Sequence, residues 1–379
     1  AYEIRPRDWS SDVCSSDLGT NTFNNLSFTN RTSVGGNTVS FAANQTINGT
    51  LTVSAGSSLG CRTCISSSTT STQRTLTCNA VSLANVDFSN INFAGNCISG
   101  GNITGTNLGD CTGNGNITFP APKNVYWVNT TTTATNLVNT TASWAATAGG
   151  AANVVNTPLP QDTAIFGNTI PTTGSVTHNA LWDYGALDMS ARTAALTVTA
   201  TTAATFHKDF SIASGVTLAG TGILNYEGNN TQNLNSVGKT FTSGLTITKA
   251  VGSVFNLSAA FSGTAITLAS GTFTTNNFAV TLSGLLTITS NTITKVMNWG
   301  SSLITLSGTG GISFSSSTLT INPGTSSLVF SGGSGAPLTN NTNTNLTFYN
   351  VSFTGTTLGF TITGTNTFNN LSFTNRTSV

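Results

Sequence analysis

Ionisable side chains are scarce in this sequence. Only 12 Lys and Arg and 11 Asp and Glu occur among 379 residues, which is 6% of the chain, against roughly 25% in ordinary soluble domains. The net charge is +1, so the composition offers no basic surface for nucleic acid or for an anionic membrane. No run of 18 apolar residues occurs, so we predict no membrane-spanning helix.

Carboxylates are missing from the last part of the chain, because no Asp or Glu follows Glu227. Glycan hydrolases need two carboxylates that face one groove, and lyases need acidic residues for Ca²⁺ or a basic residue as general base. Asp183 and Asp188 would face opposite sides of one continuous strand. His207 and Asp209 would share a face, but the sequence His207-Lys208-Asp209 is typical of a turn exposed to solvent. We therefore predict no catalytic residue, no cofactor-binding residue and no enzymatic activity. The titratable residues considered for such a site are Asp87, Asp110, Asp162, Asp183, Asp188, Asp209, Glu227, His178 and His207.

Residues that favour helices are also few, whereas β-branched and aromatic residues, including 21 Phe, are frequent. The commonest motif is apolar–Thr–apolar followed by a turn that contains Gly. In Ile304-Thr305-Leu306, for example, the two apolar side chains would point to one face of a strand and Thr to the other. This period of two predicts an all-β fold. A second motif has Phe at both ends of six residues and ends at Phe28, Phe93, Phe353 and Phe373.

These repeats predict short strands that stack as successive coils. Similar strands return roughly every 20–25 residues, which is typical of a parallel β-helix, or β-solenoid. Inward apolar side chains would form files along the axis, and few charges are expected because stacked like charges repel. We predict solenoid coils at residues 19–119, which contain a Cys cluster, and at 210–379. An array of β-sandwich modules is the alternative that the pattern leaves open.

The segment 120–209 differs in composition from the segments on either side. It contains Trp127, Trp144 and Trp182, together with five of the chain's eight Pro residues. A stack of coils needs a non-repeating end that covers its open strand edges. We therefore predict that this segment is a β-rich insertion or a cap.

The two ends of the sequence are unusual. Residues 1–18 carry four of the 11 acidic residues and resemble translated sequencing-adapter read-through, so we expect them to be non-native. Residues 19–34 recur without change at 364–379, an offset of 345 residues. A tandem array with a unit of that length and an assembly error that joined a fragment to itself both explain this duplication, and we expect neither end to be native.

Five of the six Cys residues lie close together in the sequence. The Cys61-x-x-Cys64 spacing is that of half a tetrahedral zinc site, but no His lies nearby and five residues leave one over in any pairing. Disulfides, a structural zinc ion and free buried thiols all remain open, and none of these states would be catalytic. No other cofactor is expected. The candidate metal ligands are Cys61, Cys64, Cys78, Cys97 and Cys111.

The tripeptide Thr-Ile-Thr begins at residues 246, 287, 292 and 361. An ice-binding face would need such a motif once per coil and in register. The intervals of 41, 5 and 69 residues share no period, so we do not predict such a face.

Several stretches between residues 59 and 200 resemble known groups of proteins. The segments NVDFSNINFAG (85–95) and LDMSARTAALTV (187–198) resemble uncharacterised β-rich, solenoid-like proteins of environmental, largely marine, phages. More loosely, Trp144, a Gly-Gly loop and the segment 162–166 resemble passenger regions of autotransporter-type adhesins. Both resemblances imply an elongated component of a virion or a bacterial surface, and neither brings catalytic residues.

We therefore expect a non-catalytic structural or adhesive β-solenoid segment, tail-fibre-like, that is extracellular or on the virion surface. Its expected partners are host surface glycans or other virion and surface proteins, not nucleic acid, and a homo-oligomer is compatible with the sequence. The alternative is a tail-spike-like polysaccharide depolymerase, a lyase or a glycosidase, which would need convergent carboxylates in a groove.

Overall fold

A computed structural model shows an all-β protein with 53% strand and 2% helix, which forms a β-solenoid of about 14 turns with parallel strands. This confirms the predicted β-solenoid, and the alternative array of β-sandwich modules is wrong. The suspected artefact at 1–18 lies outside the described residues. The structure describes residues 19–29, 35–54, 60–129, 133–134, 143–168, 174–289, 291–308, 310–332, 337–342, 344–355 and 359–374.

The N-terminal unit, residues 19–119, is a short solenoid with a hydrophobic core of its own. Its strands are β1 (Asn21–Phe23), β2 (Leu26–Thr29), β3 (Gly35–Phe41), β4 (Gln45–Ser54), β5 (Cys61–Ser67), β6 (Arg74–Ala84), β7 (Val86–Ser89), β8 (Ile91–Ala94) and β9 (Gly109–Asp110). One parallel sheet contains β1 and β2 beside β4, followed by β6 and β8, and the second has the order β3-β5-β7-β9. A 3-10 turn, Asn96–Ile98, follows β8.

The C-terminal unit, residues 120–374, is the longer solenoid and contains the second core. Its first half contains β10 (Asn124–Trp127), β11 (Thr133–Ala134), β12 (Trp144–Ala145), β13 (Thr163–Ile165), β14 (Ser175–His178), β15 (Trp182–Tyr184), β16 (Ala186–Met189), β17 (Leu196–Ala200), β18 (Ala204–Phe206), β19 (Phe210–Ile212), β20 (Val216–Gly220), β21 (Leu224–Gly228), β22 (Gln232–Asn235) and β23 (Leu245–Lys249). A 3-10 turn, Val154–Asn156, follows β12.

The second half of the C-terminal unit repeats the same arrangement. Its strands are β24 (Val254–Leu257), β25 (Phe261–Gly263), β26 (Ile266–Thr274), β27 (Val280–Leu282), β28 (Leu286–Ile288), β29 (Lys295–Asn298), β30 (Leu303–Leu306), β31 (Ile312–Phe314), β32 (Leu319–Asn322), β33 (Ser327–Phe330), β34 (Leu338–Asn340), β35 (Leu346–Phe353), β36 (Ile362–Thr363) and β37 (Asn366–Phe373). The unit has sheets of 18, four and six strands, the last with the order β25-β27-β30-β33-β35-β37. Among the described residues, no helix is long and apolar enough to span a membrane.

Alternating burial explains why these strands stack. In β30, Ile304 and Leu306 are buried and the Thr between them faces outward, as the sequence motif predicts. Inside the coils, aromatic rings of successive rungs lie against each other, with centroid distances of 5.5 Å for Tyr184–Phe206 and 5.4 Å for Phe206–Tyr226. Removal of this apolar surface from water contributes roughly 25 cal/mol per Å² and holds the rungs together.

The segment 120–209 continues the same solenoid. Its strands β10, β13, β15, β16 and β18 belong to the 18-stranded sheet that runs on to β36, so these residues form coils where we expected an insertion or a cap. Their unusual composition has a local cause in the first turn. There Trp127, Trp144 and Phe166 pack together with ring centroids 5.1 to 5.6 Å apart, and β12 runs antiparallel to β10.

Outward hydroxyl groups form a column on one face of the C-terminal unit. Neighbouring rungs of this column are 20 residues apart between Thr267 and Thr287 but 26 apart between Thr287 and Ser313, because turns of different length join the strands. Unequal intervals in the sequence thus become equal steps in the stack. The Thr-Ile-Thr tripeptide itself does not occur on every rung, since Thr267-Leu268-Ala269 lies between the copies that begin at Thr246 and Thr287. The hydroxyl column consists of Thr246, Thr267, Thr287, Ser313 and Thr339.

The N-terminal unit packs sideways against several coils of the C-terminal unit. Near the start of β3, the N–H of Gly36 donates a hydrogen bond to the carbonyl of Leu181, at 2.6 Å. After β5, the hydroxyl of Ser71 accepts one from the N–H of Val251, at 3.2 Å. Leu181 precedes β15 and Val251 follows β23, so the contact between the units extends over several successive rungs. Side chains on these rungs that face the N-terminal unit therefore become buried between the two units.

Candidate functional site

The five Cys residues of the predicted cluster fall into two groups. Cys78 on β6 and Cys97 in the turn after β8 form a disulfide. Cys61, Cys64 and Cys111 are free and buried. Two of the states left open by the sequence, a disulfide and free buried thiols, therefore both occur.

A group of polar side chains lies where the two units meet, and we call it the junction cluster. The N-terminal unit contributes side chains from β5, from β7 and from the residue after β9, and the C-terminal unit contributes side chains from β15 and from two following coils. Its members are Arg62, Cys64, Asp87, Cys111, Asp183, His207 and Glu227.

Three members of the junction cluster could hold a metal ion. The thiol sulfurs of Cys64 and Cys111 and a carboxylate oxygen of Asp183 all lie within 4.8 Å of one another. Both Cys residues are buried, at 6% and 0% exposure, while the side chain of Asp183 is 18% exposed. Two sulfur ligands and one oxygen ligand converge here, and they come from both units.

Cys64 and Cys111 belong to neighbouring parts of one unit, because β5, β7 and β9 lie side by side and Cys111 directly follows β9. Cys64 on β5 lies in register with Asp87 on β7, which lies in register with Gly109 on β9. A side chain at position 109 would collide with the carboxylate of Asp87. Glycine at this position therefore lets the Asp87 side chain reach Arg62, with which it forms a buried ion pair.

His207 and two carboxylates form the C-terminal side of the cluster. Nε2 of His207 lies 3.2 Å from Oδ1 of Asp183. Burial raises the pKa of Glu227, although the charge of His207 opposes that shift. We expected His207 and Asp209 to share one face of a turn; instead His207 is buried against the N-terminal unit and Asp209 is exposed.

A buried amine lies beside the junction cluster. Lys249 is fully buried and donates to Oε1 of Gln232 at 2.8 Å and to the carbonyl of Glu227 at 3.1 Å. Burial lowers its pKa to about 7, although the nearby carboxylates of Glu227 and Asp209 act in the opposite direction. This side chain therefore gives up its proton much more readily than an exposed Lys.

The two thiols are held in their protonated form in the absence of a cation. Burial raises the pKa of Cys111, and the hydrogen bond from its thiol to Cys64 raises it further. That hydrogen bond lowers the pKa of Cys64, but burial and the charges of Asp183 and Asp87 raise it, and the net direction is upward. Thiolates at these positions would need a positive partner, such as a metal ion.

The other carboxylates that we considered for catalysis make local hydrogen bonds. Asp110 and Asp188 each accept a bond from the backbone N–H two residues later, at 2.9 and 2.8 Å. Asp209 accepts a bond from the N–H of Asn233, at 2.8 Å. These contacts are typical of turn capping and of strand ends.

Asp162 and His178 have structural contacts as well. Asp162 accepts bonds from the backbone N–H groups of Lys123 and Leu159, each at 3.0 Å, and burial raises its pKa. Nδ1 of His178 lies 3.1 Å from the hydroxyl of Tyr184, and burial lowers the pKa of this His. Asp162 connects neighbouring rungs through Lys123, and His178 does so through Nε2, which lies 3.1 Å from the carbonyl oxygen of Ala203.

Comparisons with protein-family models, with curated proteins and with solved structures found no match for this sequence.

Proposed function

We propose that this chain is a non-catalytic structural and adhesive solenoid of a virion, tail-fibre-like, or of a bacterial surface, and that it binds host glycans or surface proteins along its length. The stacked coils support this proposal because they repeat one surface over many rungs. The Cys78–Cys97 disulfide supports an extracellular or virion-surface location, since such bonds persist in oxidising compartments.

The hydroxyl column is the observation that carries the proposal. It presents uncharged hydroxyl groups at steps of about 4.8 Å, and no carboxylate follows Glu227 in the chain. Amide groups also pair between rungs, on other strands of the same coils: Asn256 on β24 donates to Asn233 on β22 at 3.2 Å, and Asn322 on β32 donates to Asn298 on β29 at 2.8 Å. Hydroxyl and amide groups form hydrogen bonds with the hydroxyl groups of neutral sugars without requiring charge on the ligand.

Binding to immobilised capsular and algal polysaccharides tests the proposal. We expect the full chain to be retained without release of reducing ends or unsaturated products. Thr287→Lys, which places a charge in the hydroxyl column, should weaken retention, whereas Thr305→Lys on another sheet should not. Release of reducing ends or unsaturated sugars would establish the depolymerase alternative, and a lack of retention on every polysaccharide would reject glycan binding.

The same column favours ice binding as a second candidate function. Four Thr and one Ser occupy matching outward positions on successive rungs, and such a regular row of hydroxyl groups, four of them with a methyl group beside them, suits a repeating surface such as ice. Thermal hysteresis of the purified chain tests this function. It should fall in Thr287→Lys and persist in Thr305→Lys, and a parent protein without thermal hysteresis would reject it.

A further inference from the structure

We propose that Cys64, Cys111 and Asp183 bind one Zn²⁺ ion that joins the N-terminal unit to the C-terminal unit. Cys64 lies on β5, Cys111 directly follows β9 in the same unit, and Asp183 lies on β15. The ion would thus connect two hydrophobic cores that are otherwise separate.

The ligand set fits zinc in both chemistry and size. Zinc prefers thiolate sulfur with imidazole or carboxylate ligands, at about 2.3 Å from sulfur and about 2.0–2.2 Å from oxygen. Two sulfur ligands of a tetrahedral ion are therefore about 3.8 Å apart, and the donor atoms here lie within 4.8 Å of one another. Small side-chain movements bring them to bonding distance, and a water molecule can reach the fourth position beside the partly exposed Asp183.

Charge and proton balance also favour the ion. Zn²⁺ binding releases the two thiol protons to solvent, so two positive charges enter as two protons leave and the net charge of the cluster is unchanged. The bound ion then supplies the counter-charge that the two buried thiolates need. His207, 3.2 Å from Oδ1 of Asp183, acts as a positioning residue, as outer hydrogen-bond partners commonly do for metal-bound carboxylates.

Metal content and cobalt spectroscopy test this site on the full chain with the Cys78–Cys97 disulfide intact and with Cys64 and Cys111 as free thiols. We expect one equivalent of Zn²⁺, and on replacement by Co²⁺ a thiolate-to-metal charge-transfer band. Cys111→Ser should lose that band, and Asp183→Asn should weaken Zn²⁺ binding by about 10-fold or more. Cys61→Ser is the matched control, because Cys61 is buried on the same strand as Cys64 but lies outside the ligand set.

Three results would overturn the proposal. The first is a folded parent protein, with Cys64 and Cys111 as free thiols, that binds neither Zn²⁺ nor Co²⁺. The second is Zn²⁺ affinity that is unchanged in Asp183→Asn. The third is a Cys64–Cys111 disulfide that forms in the presence of stoichiometric Zn²⁺. Far-ultraviolet circular dichroism of each variant separates loss of the site from loss of the fold, and hydrogen exchange at Gly36, which should slow when Zn²⁺ is added, reports the contact between the units.

Discussion

Arg62 and Asp87 form a buried ion pair, with Nη2 2.5 Å from Oδ1 and Nε 2.7 Å from Oδ2. The two side chains are 2% and 3% exposed. Nη2 of Arg62 also donates to the carbonyl of Asn107, at 2.8 Å. This geometry fixes β5, β7 and the loop before β9 relative to one another. Cys64 lies on β5 and Cys111 directly follows β9, so the ion pair supports the strands that position both thiols of the junction cluster.

Replacement of Arg62 by Met should destabilise the protein strongly, because Asp87 would stay buried without a counter-charge. Loss of one partner of a buried pair costs about 3–5 kcal/mol. The double variant Arg62→Met/Asp87→Leu removes both charges, so it should lose less stability than the single variant. Urea unfolding followed by circular dichroism measures both, and equal losses in the two variants would contradict a coupled pair.

Stability should rise with pH above neutrality because of Lys249. Its pKa is lowered to about 7 in the folded chain and is about 10.4 in an unfolded chain. Between these values the unfolded state binds more protons, so the free energy of unfolding increases with pH by up to about 1.4 kcal/mol per pH unit. Below pH 7 the contribution is constant, since both states are protonated.

The variant Lys249→Met should reduce this slope in urea titrations between pH 7 and 10. It should not abolish the slope, because burial also lowers the pKa of Lys295, to about 8. The matched variant Lys295→Met should therefore remove a smaller part. A slope that is the same in the parent and in Lys249→Met would show that the amine is not buried in the folded chain.

The fold could be predicted from the sequence because its causes are local. In Val280-Thr281-Leu282 and Ile304-Thr305-Leu306, the alternation alone determines which side chains enter the core, and both strands show it. The spacing of rungs could not be predicted, because turns of different length hide equal steps in the stack. The composition of 120–209 led us to predict an insertion or a cap. Its Trp residues instead fill the interior of the first coils of the C-terminal unit.

The junction cluster could not be predicted, because its contacts join distant parts of the chain. The Cys61-x-x-Cys64 spacing indicated a local metal site, yet Cys61 lies outside the cluster and Cys64 meets Cys111 and Asp183. Asp183 was considered only as half of a catalytic pair with Asp188. The position of the N-terminal unit against β15 brings these side chains together, and no sequence period encodes that contact.

Phe353 should be essential for the last coils. Its ring is fully buried between Phe330 and Phe373, with centroid distances of 4.6 and 5.2 Å. Phe353→Asp should cost at least the 3–5 kcal/mol typical of a buried Phe→Ala change, because it also buries a carboxylate without a partner. Phe373→Asp on the exposed outer rung is the matched control and should cost much less. Similar melting of the two variants would show that Phe353 does not face inward.

Reduction of the Cys78–Cys97 disulfide should lower stability by about 3 kcal/mol, since it releases a loop with a sequence separation of 19 residues in the unfolded chain. The double variant Cys78→Ala/Cys97→Ala should match the reduced parent and should no longer respond to reductant. Thermal melts with and without reductant, at fixed Zn²⁺, measure both effects. If reductant still destabilised the double variant, a second disulfide would have to exist, and the two buried thiols of the junction cluster would be its first candidates. Insensitivity of the double variant therefore verifies the disulfide assignment and also leaves Cys64 and Cys111 free to bind metal.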